Sequence, residues 1–167
     1  MQKRLLATAV AATVAIAAAI PLFAGEGKIV IEDPYARETP PNAKAGGAFM
    51  TIVNHGAANR LTGASSDAAK VVQIHNHTMD DAGVMRMREV EGGLPLGMHE
   101  TVTLQPGGLH VMLMGLESPL KKGEAVDITL EFEDGSSMDI SVPILSIAAS
   151  GPEKSGTKHG HGMKHDH

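Results

Sequence analysis

The 167-residue chain has no cysteine and no tryptophan, and its aromatic residues amount to only 2%. Without cysteine it has no disulfides to lean on, and any metal site must work without a thiolate. That excludes a blue-copper electron carrier, whose centre needs a Cys thiolate beside two imidazoles. The scarcity of aromatics leaves little with which to line a substrate pocket. Positive charge is also short. The 14 Lys and Arg face 19 Asp and Glu for a net charge of −5, and loss of Lys3 and Arg4 with the leader described below makes it −7. Nucleic acid is therefore not an expected partner.

One long apolar run is present, Leu5 to Ala24, preceded by Met1-Gln2-Lys3-Arg4. A basic start followed by a small-residue apolar stretch is the pattern of an export signal. We place the signal at residues 1–24, with processing near Leu22-Phe23-Ala24. The stretch is about the ~20 residues of a membrane span, but it is mostly alanine and carries Pro21 near its end, which favours cleavage over anchoring. The 143 residues that remain make one domain, large enough to bury a core without covalent staples.

What the chain has in quantity is methionine and histidine, ten and nine residues. Methionine is the usual gap-filler of an apolar core, so composition alone says only that thioether sulfur replaces aromatic rings. Placement says more. Val126-Asp127-Ile128-Thr129-Leu130-Glu131-Phe132-Glu133 alternates apolar and polar residues, Asp134-Gly135 supplies a hairpin turn, and Met138, Ile140 and Val142 resume the alternation. Shorter runs at 28–31, 48–53, 60–64, 71–78, 84–90, 100–104 and 109–114 are separated by Gly, Pro, Asn and Asp clusters. No helical periodicity appears outside the signal. The pattern predicts an all-β sandwich or barrel over residues 25–147.

From about Ala148 the composition turns to Ala, Ser, Gly, Lys and His, which predicts a disordered tail over 148–167. His159, His161, His165 and His167, with Met163 among them, are spaced by Gly, Lys and Asp rather than run together like an expression tag. Such a tract is expected to bind metal.

His75, His77 and Met79 recur at every second position, as do Met85 and Met87, and Asp80 to Gly83 suits a turn between the two runs. A hairpin would put these side chains on one face, and His110, Met112 and Met114 could join them from a third strand. Thioether and imidazole suit the soft ion Cu(I), whereas magnesium, calcium and manganese prefer oxygen donors. In an oxidising compartment methionine also avoids the disulfide chemistry that threatens a thiolate site.

The segment resembles the PCuAC family of periplasmic copper chaperones, whose signature is a His, about ten residues, a Met, about twenty-one residues, then His-x-Met. Here eleven residues separate His75 from Met87 and twenty-two separate Met87 from His110, with His110-Val111-Met112 completing the pattern. Each spacing is one longer, which the 80–83 turn and the 92–99 loop can absorb. Met85-Arg86-Met87-Arg88 and the stretch from Gln105 to Leu116 also match, and the resemblance spans roughly residues 28–144.

The resemblance implies a cupredoxin-like β-sandwich or Greek-key barrel with Cu(I) held near the surface by His75, Met87, His110 and Met112. His77, Met85 and Met114 are candidate auxiliary ligands, and the hairpin register decides whether His75 or His77 serves as the first. It further implies no catalysis, a periplasmic location and delivery to a copper-recipient protein of cytochrome c oxidase assembly. We expect a monomer, free of the membrane once the signal is removed. The His-rich tail, with imidazole donors, suits Cu(II). The rival readings are a secreted copper oxidase or oxygenase and a metal-free adhesion or scaffold sandwich. Met50, Met98 and Met138 are expected to be packing residues, His55 and His99 loop residues, and Glu89, Glu91, Glu131 and Glu133 solvated strand positions.

Overall fold

The alternation at 126–133 becomes a strand in which Val126, Ile128, Leu130 and Phe132 are buried while Asp127 and Glu131 face water. The computed structural model describes residues 29–152, and the same logic builds ten strands: β1 (Ile29–Arg37), β2 (Ala45–Asn54), β3 (Asn59–Ser65), β4 (Ala69–Met79), β5 (Met85–Glu89), β6 (Leu94–Leu96), β7 (Thr101–Leu104), β8 (His110–Leu116), β9 (Ala125–Phe132) and β10 (Ser137–Leu145). Among the described residues there is no helix. The export signal and the histidines of the tail lie outside the described residues.

The strands run in the order β5-β4-β8-β2-β1, with β7 also on β2, and then β10-β9-β3-β6. The two halves meet through a short parallel pairing of β1 with β10, Ala36 beside Ile144 and Arg37 beside Leu145. Ile52, Ile74, Val111 and Leu113 from the first half and Leu61, Ile128, Leu130 and Val142 from the second share one buried cluster. This is the all-β arrangement expected from the pattern, of the cupredoxin-like kind that the resemblance implies. The Asp134-Gly135 hairpin is present, with the Phe132 N–H donating to Ser136 O at 2.9 Å.

Three details differ from the sequence expectation. β1 continues past Ile31 and over Pro34, because a bulge between Glu32 and Tyr35, with Asp33 at φ 47°, lets the strand resume its pairing with β2. β6 has only three residues around Pro95, too short to show a period, and it survives as an edge strand beside β3. Met98, expected in the core, is 66% exposed, whereas Met50 is buried as expected. Beyond residue 147 the chain is still held: Ala149 O accepts from Arg37 Nε and Nη2 at 2.9 and 2.7 Å.

Asn54 closes the end of β2. It is buried, its Nδ2 lies 2.8, 3.2 and 2.9 Å from the carbonyls of Ala57, Leu96 and Gly97, and its Oδ1 accepts the Gly56 N–H at 2.9 Å. One side chain thus joins the 54–57 turn to the end of β6. Asn54→Ala should cost about 2 kcal/mol or more, because buried carbonyls lose their donor. Denaturant unfolding checks this, and an unchanged midpoint would show that the turn holds without it.

Candidate functional site

β4 lies between β5 and β8, and its alternation decides what each face offers. Ile74 turns into the core, so His75, and with it Gln73 and His77, stand on the opposite face. On β8 the same split buries Val111 and Leu113 and leaves His110, Met112 and Met114 on that outer face.

Strand register then sets who meets whom. His75 stands opposite His110 on one side and Glu89 on the other. His77 faces Met87, Met79 faces Met85, Gln73 faces Met112, and Val71 faces Met114. The three-strand patch predicted from spacing therefore exists, with His75, His77, Met87, His110 and Met112 neighbouring one another. Met114 lies one pleat further from the histidines than Met112, and Met85 lies one pair further out along the hairpin than Met87.

The imidazoles are close. The His77 and His110 ring centroids are 5.2 Å apart and stacked at 26°, and those of His75 and His110 are 6.0 Å apart. His110 Nδ1 is 2.9 Å from Gly108 O. A carbonyl can only accept, so the proton sits on Nδ1 and Nε2 presents its lone pair. The His75 tautomer follows from a longer chain of contacts. Gln73 Nε2 donates to Glu89 Oε2 at 2.9 Å, which turns Gln73 Oε1 toward His75 Nε2 at 3.1 Å. His75 Nε2 must then carry the proton, leaving Nδ1 as the free lone pair.

Among the described residues, the buried side-chain polar atoms without a hydrogen-bond partner are His75 Nδ1, His77 Nδ1, His110 Nε2 and Tyr35 Oη. Buried polar atoms are nearly always paired, so an orphan calls for a reason such as an ion to be bound. Three of these four are imidazole nitrogens on one patch. No group of three or more His, Asp or Glu among the described residues is gathered closely enough to hold a metal by itself. A metal held here draws on the adjacent thioethers, and these are accessible: Met87 is 44% exposed while His110 is buried.

An aromatic flank encloses His110. The Phe49 ring lies 6.3 Å from it, Tyr35 packs against Phe49 in a tilted arrangement with centroids 5.1 Å apart, and the Arg37 guanidinium sits 5.5 Å over Phe49. Gly47, opposite Met112, makes room, since a Cβ there would come within 3.2 Å of the Phe49 ring. Gln73, Phe49 and Gly47 are not evident from the sequence; Glu89 is the solvated strand position expected, exposed on β5, and what the sequence does not show is its bond to Gln73. Only a predicted register linking position 75 to 89 and 110 could have pointed to that bond.

Burial holds the His110 pKa below its ordinary value of 6.5; the Gly108 carbonyl opposes this, and the neighbouring His77 and His75 add to it. A neutral ring is what a metal requires. Because the unfolded chain takes up a proton near pH 6.5 that the folded His110 refuses, stability contributed by this group is complete above that pH and is lost below it. Between about pH 7.5 and about pH 5.5 the metal-free protein should lose more stability than its His110→Gln variant, as read by denaturant midpoints. Equal losses would contradict the assignment.

A sequence-family model named LpqE-like, described as a lipoprotein family, matches residues 29–144. The Leifsonia xyli protein Lxx21020, whose name also carries the word lipoprotein, is 36% identical over 104 residues, covering 62% of each chain. Among solved structures, the copper-bound PCuAC domain from PmoF2 aligns with a TM-score of 0.60 and 29% identity over 72% of this chain and 94% of that one. The Cu(I) form of DR1885 from Deinococcus radiodurans aligns with a TM-score of 0.56 and 32% identity over 75% of this chain and 85% of that one. With its fold, its matched span and these neighbours, the chain belongs to the LpqE-like family of PCuAC-type domains.

Proposed function

We propose that this protein is a copper carrier of the cell envelope, binding one Cu(I) through His75, Met87, His110 and Met112 and passing it to a recipient protein. The observation that carries the reading is the set of three unpartnered, buried imidazole nitrogens with methionines on the adjoining positions of the same sheet face. Neutral imidazole and thioether together select a soft monovalent ion over hard cations. His110 Nε2 and His75 Nδ1 supply the nitrogens, their tautomers fixed by Gly108 and by the Gln73–Glu89 pair. Outer-shell partners of this kind orient metal-ligating imidazoles. Met87 and Met112 flank them from β5 and β8, and His77 stands ready as an exchange ligand opposite Met87.

The position of the site favours carriage over catalysis. Two clefts of about 740 and 470 Å³ are lined by other residues, and neither includes His75, His77, His110, Met87 or Met112. A cargo ion on an open sheet face can be approached by the ligands of a second protein, so transfer proceeds by exchanging one donor at a time. The resemblance to copper-bound PCuAC domains supports copper as the cargo. Assembly of cytochrome c oxidase is the destination we propose, by resemblance to the chaperone family. Residues 1–24 fit an export signal, and the lipoprotein names of the family and of Lxx21020 agree with an envelope location; none of the 167 residues is a cysteine, so a thiol-linked lipid has no residue to use in this sequence. We assign His159, His161, Met163, His165 and His167 to a second, Cu(II)-binding function.

Copper titration under reducing conditions, against a competing chelator, should show tight binding of one Cu(I) that is abolished by Met87→Ala combined with His110→Ala. Unchanged binding in that variant would overturn the assignment. Removal of residues 153–167 should leave this Cu(I) binding intact and eliminate Cu(II) binding under oxidising conditions. Retention of Cu(II) by the shortened chain would remove the tail from the account.

A further inference from the structure

The β4–β5 hairpin runs outward past the imidazoles, and its tip is built in an unusual way. Met79 and Met85 stand directly opposite each other, 67% and 53% exposed, on the same face as His77 and Met87. Val84 beside them is also exposed, so half of the large exposed hydrophobic side chains among the described residues fall between positions 79 and 87. Scattered single apolar residues on a surface need no explanation, but a cluster does. Packing cannot supply it, because these side chains are in solvent. A simple apolar docking face would be served equally well by leucine or isoleucine, whereas three of the four residues here are thioethers.

The tip is also held in shape. Asp80 N–H donates to Val84 O at 2.9 Å, Asp80 Oδ1 accepts the Ala82 and Val84 N–H groups at 3.1 and 2.9 Å, and Asp80 Oδ2 pairs with Arg86 Nε at 2.6 Å. These contacts fix the turn that keeps Met79 across from Met85, and directly opposed side chains have Cβ atoms about 5 Å apart, within reach of a shared ion. The same pairing places Arg86 opposite Thr78, off the positions occupied by the thioethers. Met87 follows Met85 on the same face about 7 Å further along the strand.

From the tip inward, the cross-strand pairs read Met79 with Met85, His77 with Met87, and His75 with His110, passing from exposed sulfur to buried nitrogen. We propose that Met79 and Met85, sharing Met87 with the inner site, form an outer Cu(I) landing site from which the ion moves to the imidazoles by ligand exchange. The side chains that share this face at the tip are thioethers, and the Asp80 carboxylate is taken up by Ala82, Val84 and Arg86, so the chemistry of the face admits Cu(I) and disfavours harder ions. The proposal rests on the copper reading above and adds a second, more weakly held position to it. The hairpin then serves as the route by which cargo enters and leaves.

The test is a Cu(I) titration of the full chain labelled with ¹³C at the methionine methyl groups, under reducing conditions, followed by NMR. The first equivalent should shift the Met87 and Met112 methyls, and further Cu(I) should shift those of Met79 and Met85 together. Met79→Leu should abolish the later Met85 shift while leaving the first-equivalent shifts in place. Met79 and Met85 signals that stay unmoved at saturation, or a Met85 shift that survives Met79→Leu, would overturn the outer site. Met87 and Met112 signals that do not respond to the first equivalent would instead overturn the inner site, whatever the tip does.

Discussion

The pairing of β4 with β8 is the constraint on which the rest depends. It sets Ile74 beside Val111 with both side chains in the core, and this forces His75 and His110, one position away on each strand, to meet on the other face. A slip by one residue would carry the histidines into the core and the aliphatic residues out, which burial forbids. The energy that fixes the donors therefore comes from the apolar side of the strands. The donor face is free to keep three imidazole nitrogens unpaired, a cost that a structure tolerates when something is to be bound there.

The outer face is graded rather than uniform. Near Phe49 and Tyr35 it is enclosed and His110 is buried; along the hairpin it opens until Met79 is mostly in solvent. A carrier needs both properties, since a fully enclosed ion could not be handed on and a fully exposed one would not be retained. The absence of cysteine fits the same requirement, because thioethers keep a soft ion without exposing the carrier to thiol–disulfide exchange.

Much of this was legible in the sequence. The alternation at 126–133 and the Asp134-Gly135 turn read directly as a hairpin, because period-2 burial over eight residues has few other meanings. His75, Met87, His110 and Met112 stood out by spacing, and the structure brings them onto one face. What spacing could not give was register. It left open whether Met87 meets His75 or His77, and strand pairing puts it opposite His77. Gln73 and Glu89 looked like ordinary polar strand residues, since their importance lies in each other and in the His75 ring. Met98 was misread because exposure in a loop depends on the path of the chain and not on residue type.

The central claim is that nitrogen and sulfur donors hold one ion together. X-ray absorption at the copper edge, on the protein loaded with a single equivalent of Cu(I), tests it most directly. The expected coordination shell contains both imidazole nitrogen and thioether sulfur. A shell of nitrogen or oxygen alone would contradict it, and would show that the methionines beside the histidines are bystanders.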